Sequence, residues 1–348
     1  MKILQINTES TWRGGERQTL ISMDFFKILK NEVHLIAKEN SPMYTEACKS
    51  NHKVFGVKSN LKAIIKIISI SKNYDIVHAQ TAKALTQCAI AKFFCKFKLV
   101  YTRRVDFIPS GFFTKIKYKK ANSVISISKA IHNILESNKI FNNTEIIYSA
   151  YKKTQINKRR IEEIYNQTKI SKKKKIIGIV AALEEHKDPI TSIKTCSEIL
   201  KKRNDIVFLH FGKGSYKNQI EDLIKKYDIG ENYLLMGHHE NVEELFDLMD
   251  VFLMTSKEEG LGSSVLDAFL RKIIVVSTLA GGLKELVSDR GYLCSIGDYK
   301  CLSKSLELAL EKNKTNTDIV NKAYKYCLDN HNPKIMAKKY LNVYKKLT

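Results

Sequence analysis

The residues of this chain best suited to chemistry lie in one short segment, Thr255–Phe269. It reads Thr-Ser-Lys-Glu-Glu-Gly-Leu-Gly-Ser-Ser-Val-Leu-Asp-Ala-Phe, so that a predicted strand is followed by two carboxylates, two glycines and a helix opening at the paired serines. Glycines let a backbone approach a ligand closely, and a helix N-terminus offers unpaired N–H groups and the positive end of the helix dipole. This combination suits a diphosphate. The residues predicted to surround it are Gly260, Leu261, Gly262, Ser263 and Ser264.

Two carboxylates, Glu259 and Asp267, flank this turn. Their separation of eight residues places Asp267 about two turns into the predicted helix. A carboxylate accepts paired O–H hydrogen bonds, so one can face a sugar and the other a ribose diol. The alternative is an ordinary strand, glycine turn and helix, in which Ser263 or Ser264 is the N-cap.

Three further turns follow predicted strands in the same half of the chain. Ala181–Pro189 places Lys187 just before a helix, where a cation is unfavourable unless an anion binds. A surface lysine without a function is the alternative. The segments Phe211–Ser215, which contains Gly212, and Ser277–Glu285 are also glycine turns. Ligands of doubly wound sheets bind beyond the carboxyl ends of the strands, so we expect all four turns to converge there.

Short apolar runs alternate with helix-length segments along the whole chain. Such runs are typical of parallel strands covered on both faces, and two sets in series predict two doubly wound α/β domains. The strands predicted in the first half are Lys2–Ile6, Val33–Ala37, Lys53–Val57, Ile76–Ala79, Leu99–Thr102 and Ser123–Ser126. Those in the second half are Ile176–Ala181, Val207–Phe211, Tyr233–Met236, Val251–Thr255, Ile273–Ser277 and Gly291–Cys294.

The polar, basic stretch Tyr151–Lys175 is predicted to link the two domains. We therefore assign residues 1–165 to the first domain and residues 166–332 to the second. Residues 333–348 form an amphipathic helix started by Pro333, and we expect it to pack back toward the first domain.

The chain is strongly basic, and its positive charge is concentrated in one half. Its 348 residues include 59 Lys and Arg against 36 Asp and Glu, for a net charge of +23. Residues 1–170 carry 30 basic and 12 acidic side chains, whereas residues 171–348 carry 29 and 24. This asymmetry indicates an anionic partner: a nucleic acid, a lipid surface or a phosphorylated substrate. A lysine-rich composition inherited from an AT-rich genome is the alternative.

Composition excludes several classes of protein. A hydrophobic fraction of 44% is typical of globular domains, and no long uncharged apolar run or leader pattern is found. Seven cysteines without a Cys-x-x-Cys pair indicate a reducing compartment and disfavour structural zinc. Cys196 and Cys294 lie in apolar patterns and are predicted to be small core residues. We therefore expect a cytoplasmic protein.

The order and content of these segments resemble the family 4 glycosyltransferases over nearly the whole chain. Glu259 and Asp267 match the paired acidic motif of that family, with Asp in place of the usual second Glu, and Lys187 matches the lysine that contacts the donor diphosphate. Thr11–Arg17 resembles the N-terminal glycine loop, which contains Gly14 and Gly15. Two further segments that match are Asp75–Ala79 and Val124–Ser128.

This resemblance implies a GT-B fold, with two Rossmann-like domains facing across a cleft, and a retaining transferase. The donor would be a nucleotide diphosphate sugar, most simply a UDP-hexose. The acceptor would be a bacterial surface glycan or a lipid-linked glycan. Glu259 would hold the transferred sugar and Asp267 the ribose, while Gly14 and Gly15 would close the donor site. Neither a metal nor another cofactor is expected. A nucleotide-sugar epimerase or phosphorylase of the same fold, or a nucleic-acid-binding protein, remains an alternative.

Two departures from the family pattern concern arginine. The arginine that usually partners the lysine is replaced by Ala182, and Arg103-Arg104-Val-Asp106 stands where many members carry a histidine. We expect one of the two arginines to supply the missing positive charge or to grip an anionic acceptor, because guanidinium forms a planar fork suited to phosphate and carboxylate. Arginines that only shape the loop are the alternative.

Two other features of the first half could serve the acceptor. His78 closes a predicted strand and could line the acceptor side together with Asp106, although a buried structural histidine is equally consistent with the pattern. Phe112 and Phe113 precede Lys115, Lys117, Lys119 and Lys120, a pattern that suits a peripheral contact with an anionic membrane. A basic helix with two buried phenylalanines is the alternative.

Overall fold

A computed structural model describes residues 1–141 and 144–348. Within these residues, thirteen strands form two sheets, and all the strand pairs are parallel. The strands are β1 (Lys2–Asn7), β2 (Glu32–Lys38), β3 (Lys53–Val57), β4 (Ile76–Ala79), β5 (Leu99–Arg103), β6 (Ser123–Ser126), β7 (Glu145–Ile146), β8 (Lys175–Val180), β9 (Ile206–Phe211), β10 (Tyr233–Gly237), β11 (Val251–Met254), β12 (Ile274–Thr278) and β13 (Tyr292–Cys294).

The same described residues contain fourteen α-helices that connect the strands. They are α1 (Gly14–Ile28), α2 (Pro42–Lys49), α3 (Asn60–Ile70), α4 (Ala82–Ala91), α5 (Phe112–Lys119), α6 (Lys129–Ser137), α7 (Lys158–Thr168), α8 (Pro189–Leu200), α9 (Lys217–Lys226), α10 (Ser263–Leu270), α11 (Gly282–Val287), α12 (Tyr299–Ala309), α13 (Lys314–Asn330) and α14 (Pro333–Lys345). None of these helices is both long enough and apolar enough to cross a membrane.

The two sheets belong to two compact domains, which confirms the predicted fold class. The first sheet has seven strands in the order β3-β2-β1-β4-β5-β6-β7, and the second has six in the order β10-β9-β8-β11-β12-β13. All twelve predicted strands are present, and their ends differ from the prediction by about one residue. The two-residue strand β7 was not predicted, because so short a run carries no periodic signal.

The domain boundary lies earlier than the predicted one. The first domain comprises Met1–Ala150 and His331–Thr348, and the second comprises Tyr151–Asn330. Helix α7 belongs to the second domain because Arg160 donates from Nη1 to the Glu244 carboxylate at 2.9 Å. The polar linker pattern of the sequence concealed this helix, whose one fully buried side chain is Ile164.

Helix α14 completes the core of the first domain. Asn332 caps it by accepting the Lys334 N–H, and Pro333 occupies its first turn. Its apolar face buries Tyr340 and Tyr344 against Phe26 of α1, with the Phe26 and Tyr340 ring centroids 6.1 Å apart in an edge-to-face arrangement. The last helix is therefore a structural part of the domain that begins at the N-terminus.

One cysteine differs from its prediction. Cys294 is buried, as expected for a small core residue, but its sulfur is bonded to Cys301, with 5.8 Å between the two Cα atoms. The bond joins β13 to the first turn of α12. Sequence periodicity shows only that Cys294 faces inward, and the disulfide depends on the helix returning beside the strand end.

Candidate active site

The loops that follow β8, β9, β11 and β12 meet at the carboxyl edge of the second sheet. Thr255 donates its hydroxyl to the carbonyl oxygens of Lys187 and Asp188, at 3.1 and 3.0 Å. The backbone N–H of Lys257 donates to the carbonyl of His186 at 2.9 Å. These bonds hold the loop carrying Lys187 against the loop carrying the paired acidic residues, so the predicted convergence of the turns is observed.

A glycine of α11 supports the turn that contains Glu259. The Gly282 N–H donates to the Glu259 carbonyl at 2.8 Å, and a Cβ placed on Gly282 would lie 2.3 Å from the Gly260 carbonyl oxygen. A side chain at position 282 would therefore push the turn away. Glycine at position 282 is required by this close approach of two backbones, whereas glycine at position 281 is favoured by its φ of +46°.

Gly212 is also required by packing. A Cβ on Gly212 would lie 1.8 Å from the Ala181 carbonyl oxygen, so the chain after β9 can lie against the chain after β8 only because the residue is glycine. Nearby, Ser215 donates its backbone N–H and its hydroxyl to the two oxygens of the Glu184 carboxylate. Gly212 thus shapes the predicted donor site by holding two loops together.

The N-terminus of α10 lies at the centre of these loops. Gly262, at φ +93°, is its N-cap, and Ser263 and Ser264 are the first two helical residues. The helix thus opens at the paired serines as predicted, and the alternative in which a serine is the N-cap is not observed. Within the described residues no side chain caps this helix end. Unpaired N–H groups at such an end, together with the helix dipole, form a site for an anion. Leu261, at 2% exposure, anchors the turn in the core.

Lys187 and Glu259 form an ion pair beside this helix end. The Lys187 ammonium donates to Glu259 Oε2, and their side chains are only 19% and 15% exposed. Lys187 comes from the short helical turn Glu185–Lys187, and Glu259 from the turn before α10. The pair brings together the two residues that the sequence placed in the site on independent grounds.

Asp267 is the fifth residue of α10 and is 5% exposed. It therefore lies about one turn into the helix, where the sequence predicted about two. It is close enough to the thiol of Cys327, on α13, to contribute to raising the pKa of that thiol, although burial of the thiol is the larger cause. Its assignment to the ribose remains a prediction.

A buried histidine that the sequence reasoning did not single out lies behind the site. His210 Nε2 donates to the Ala181 carbonyl at 3.1 Å, and the Tyr233 hydroxyl lies 2.7 Å from Nδ1. A neutral ring satisfies both bonds, and burial lowers the pKa of His210 to about 4. The residue thereby fixes the chain that leads from β8 toward Lys187. The sequence does carry a signal for this residue, because His210 is a polar side chain within the otherwise apolar strand Val207–Phe211.

In the first domain, the two consecutive arginines have different environments. Arg103 is 2% exposed, donates from Nη1 to the Tyr118 hydroxyl at 2.5 Å and from Nη2 to the Phe107 carbonyl, and lies over the Phe107 ring. Its guanidinium therefore holds the loop after β5. For Arg103 the structure favours the loop-shaping alternative over the predicted role in catalysis.

Arg104 instead lies against the glycine loop. A Cβ on Gly15 would lie 3.4 Å from Arg104 Cδ, and Arg104 Nη2 donates to Gln80 Oε1 at 2.6 Å. The adjacent Gly14 is the first residue of α1, and the Glu16 carboxylate accepts the Arg13 N–H at 2.9 Å. Gln80, which the sequence analysis missed, follows the end of β4 and orients this arginine.

His78 is a structural residue in this domain. It is completely buried; its Nδ1 lies 2.6 Å from the Tyr344 hydroxyl and its Nε2 lies 2.8 Å from the Thr102 hydroxyl. Burial and the nearby Arg104 charge lower the pKa of His78, which keeps the ring neutral. His78 therefore links β4, β5 and α14, a structural role in place of the predicted acceptor-side role. Asp106 is partly buried in the loop after β5, and its acceptor-side role remains a prediction.

Comparisons with known proteins find similarity to glycosyltransferases. Residues 160–326 match the family model of glycosyl transferases group 1. N-acetyl-alpha-D-glucosaminyl L-malate synthase of Bacillus anthracis is 26% identical over 50% of this chain and 45% of its own length. The capsular polysaccharide biosynthesis glycosyltransferase CapM of Staphylococcus aureus is 21% identical over 82% of each chain. The chain thus spans about half the length of the first of these relatives.

The crystal structure of Anabaena Alr3699/HepE in complex with UDP and glucose has the same fold. The two structures superpose with a TM-score of 0.87 over 99% of each chain, and their sequences are 19% identical. Together these comparisons show that residues 160–326 are similar to the glycosyl transferases group 1 and that the chain has the two-domain GT-B fold.

Proposed function

We propose that this protein is a retaining glycosyltransferase that moves a hexose-type sugar from a UDP-sugar to a bacterial surface glycan or lipid-linked glycan. The observation that carries the proposal is the Lys187–Glu259 pair beside the helix end of α10, which has no side-chain cap among the described residues. The names of the relatives, which include a capsular polysaccharide enzyme, support the choice of acceptor.

The donor diphosphate binds at the start of α10. Backbone N–H groups of Gly262, Ser263 and Ser264 donate to its oxygens, and the helix dipole favours its charge. The Lys187 ammonium turns from the Glu259 carboxylate to the phosphate. As the bond between sugar and diphosphate breaks, negative charge grows on the leaving group, and these donors stabilise it more strongly in the transition state than in the ground state.

The same step frees the Glu259 carboxylate for the transferred sugar. Donor binding replaces one partner of Glu259, an ammonium, with sugar hydroxyls, which donate paired hydrogen bonds to a carboxylate. The ion pair therefore holds both side chains in place before the donor arrives. Asp267 binds the ribose, and Arg104 either supplies the positive charge that Ala182 lacks or grips an anionic acceptor. No metal ion takes part in this scheme.

The first domain binds the acceptor, and we place this domain against an anionic membrane. Phe112 and Phe113 are 74% and 84% exposed, so they are not the buried residues of the alternative. Phe93 and Phe94, after α4, are also exposed, and the Lys120 ammonium lies 4.2 Å from the Phe93 ring centroid. Residues 58–135 carry 15 Lys and Arg against two Asp. Exposed aromatics among cations suit a lipid surface with anionic headgroups.

Thermal unfolding with a panel of nucleotide sugars tests the proposal. A ligand at 100 times its Kd stabilises the folded state by about 2.7 kcal/mol. We expect UDP-sugars to raise the Tm of the parent protein and to have little effect on a Lys187→Met variant. Transfer to an acceptor with retained anomeric configuration, measured by NMR, supports the full assignment. Free sugar phosphate or an epimerised nucleotide sugar as the product would instead identify a phosphorylase or an epimerase. Binding of oligonucleotides without any response to nucleotide sugars would identify a nucleic-acid-binding protein.

A further inference from the structure

A cavity in the first domain has the chemistry of an anion site. It measures about 270 Å³ and lies at the carboxyl edge of the sheet, where β1, β2 and β3 end. Its lining includes Lys38, Lys58 and Lys83, together with Thr8 and Asn60, and it contains no carboxylate. The charged residues that line this cavity are therefore all lysines.

The three lysines of the cavity have no acidic partner in the described part of the chain. Lys38 Nζ donates to the Ser10 hydroxyl at 2.9 Å, and Lys83 Nζ donates to the Thr8 carbonyl at 3.0 Å. Both partners are neutral, so they orient the ammonium groups without compensating their charge. Three like charges around one small cavity repel one another, and an anion bound among them removes that repulsion.

Two residues that line the cavity, Thr8 and Asn60, are held by hydrogen bonds to the buried Gln87. Gln87, 2% exposed, donates from Nε2 to Asn60 Oδ1 at 3.1 Å and to the Thr8 hydroxyl at 2.9 Å. Because Asn60 Oδ1 accepts from Gln87, the amide group of Asn60 is held in one orientation and its NH₂ group remains available as a donor. The side chains that line the cavity therefore offer donors to a ligand.

The helix that follows adds to the same field. Asn60 is the first residue of α3, an 11-residue helix capped by the Ser59 hydroxyl, which accepts the Lys62 N–H. The positive end of its dipole thus lies at the cavity, as an addition to the lysine charges. An acceptor group with more than one negative charge matches this arrangement best, and a phosphate carries about −1.5 to −2 at neutral pH.

We propose that this cavity binds a phosphate or diphosphate group of the acceptor substrate. The inference rests on the proposed function, in which the first domain receives the acceptor. It narrows the acceptor to a phosphorylated one, whose phosphate belongs either to a lipid diphosphate or to a water-soluble sugar phosphate.

Calorimetric binding of inorganic pyrophosphate tests the cavity without requiring transfer. The titration uses the full chain with Lys187→Met, because that change disables the proposed diphosphate site of the second domain. Adding Lys58→Met and Lys83→Met should weaken pyrophosphate binding at least tenfold. The matched control adds Lys62→Met and Lys72→Met, which remove the same charge from exposed positions outside the cavity. The proposal would be overturned if both variants lose pyrophosphate affinity equally, or if the chain with Lys187→Met alone shows no saturable pyrophosphate binding.

Two further titrations identify the source of the phosphate and distinguish a failure of the cavity inference from a failure of the proposed function. Geranyl diphosphate binding at least tenfold more tightly than pyrophosphate assigns the cavity to a lipid-linked acceptor, and equal affinities assign it to a soluble phosphate. UDP binding to the chain with an intact Lys187 reports on the donor site alone. If UDP binds and the cavity variants behave like their control, only the cavity inference fails. If the cavity variants lose pyrophosphate and UDP does not bind, the proposed function fails.

Discussion

The Lys187 ammonium donates to the Glu259 carboxylate, and this bond joins residues 72 positions apart in the chain. Their loops are held together by the Thr255 hydroxyl and by backbone bonds to His186, so the pair does not depend on its own attraction alone. In the proposed function, this ion pair exchanges partners when a diphosphate and a sugar bind. The loops would then hold both side chains in position before the donor binds.

Removal of either partner should abolish most of the transferase activity. We expect Lys187→Met and Glu259→Gln each to lower kcat/KM by roughly 30- to 1,000-fold, because each loses about 2–4 kcal/mol of transition-state stabilisation. Steady-state kinetics on folded protein measures the effect. Lys201→Met and Glu198→Gln, in an exposed ion pair on α8, are matched controls and should keep parental activity. Near-parental turnover in Glu259→Gln would contradict the site.

Substitution of Gly282 should damage the site through the backbone. In Gly282→Ala the new Cβ meets the Gly260 carbonyl, and such overpacking costs typically about 1–3 kcal/mol. We expect a lower free energy of unfolding and weaker UDP-sugar binding, measured by denaturant titration and calorimetry. Gly230→Ala is the control, because the nearest atom to its Cβ lies 3.9 Å away. Equal stability of the two variants would show that the turn tolerates the side chain.

The two buried histidines should make stability depend on pH. Burial lowers the pKa of His210 to about 4 and lowers that of His78, whereas both titrate near 6.5 when unfolded. The unfolded chain thus binds more protons in this window. The free energy of unfolding should therefore fall by up to about 1.4 kcal/mol per pH unit for each histidine as the pH drops from 6.5 toward 4.

Urea denaturation at several pH values measures this slope. His210→Gln should flatten it, even if the variant is less stable throughout, because one proton-linked group is gone. His238→Gln removes an exposed histidine and should leave the slope as in the parent. A parental slope in His210→Gln would mean that the ring does not titrate as its burial implies.

The two arginines should respond differently to lysine. Arg103→Lys loses the guanidinium fork that holds Tyr118 and Phe107. We therefore expect the free energy of unfolding to fall by about 1–3 kcal/mol. Arg104→Lys should leave stability close to parental, because Arg104 itself is only half-buried. It should reduce kcat/KM several-fold, because lysine keeps the charge but loses the planar fork. Raised donor Kd in Arg104→Lys would identify a diphosphate contact, and unchanged donor Kd an acceptor contact. If Arg104→Lys keeps full activity when either the donor or the acceptor is sub-saturating, both the diphosphate contact and the acceptor contact are ruled out.

The exposed aromatic and basic surface should bind anionic vesicles. Co-sedimentation with vesicles containing phosphatidylserine should decrease steeply as salt is raised, because surface lysines contribute about 1 kcal/mol each within a Debye length of 8–10 Å. Phe112→Ser with Phe113→Ser should weaken binding at least tenfold while transfer to a soluble acceptor persists. Exposed apolar Leu61→Ser with Ile65→Ser, on α3, is the matched control. Parental vesicle binding after the phenylalanine changes would place the contact elsewhere.

Local pattern in the sequence was sufficient for every strand except the two-residue β7 and for the four turns around Lys187 and Glu259. Each of these features is encoded by neighbouring residues: uninterrupted apolar runs, glycines at strand ends and a helix start after Gly262. The roles of His78, Arg103 and Cys294 depended on the tertiary structure. His78 is buried because Tyr344 of the last helix covers it. The Arg103 guanidinium donates its hydrogen bonds to Tyr118 and Phe107. Cys294 forms a disulfide with Cys301, on the other side of a loop. The environment of a polar side chain is set by the segments that pack on it, and the alternation of residues along the chain does not identify those segments.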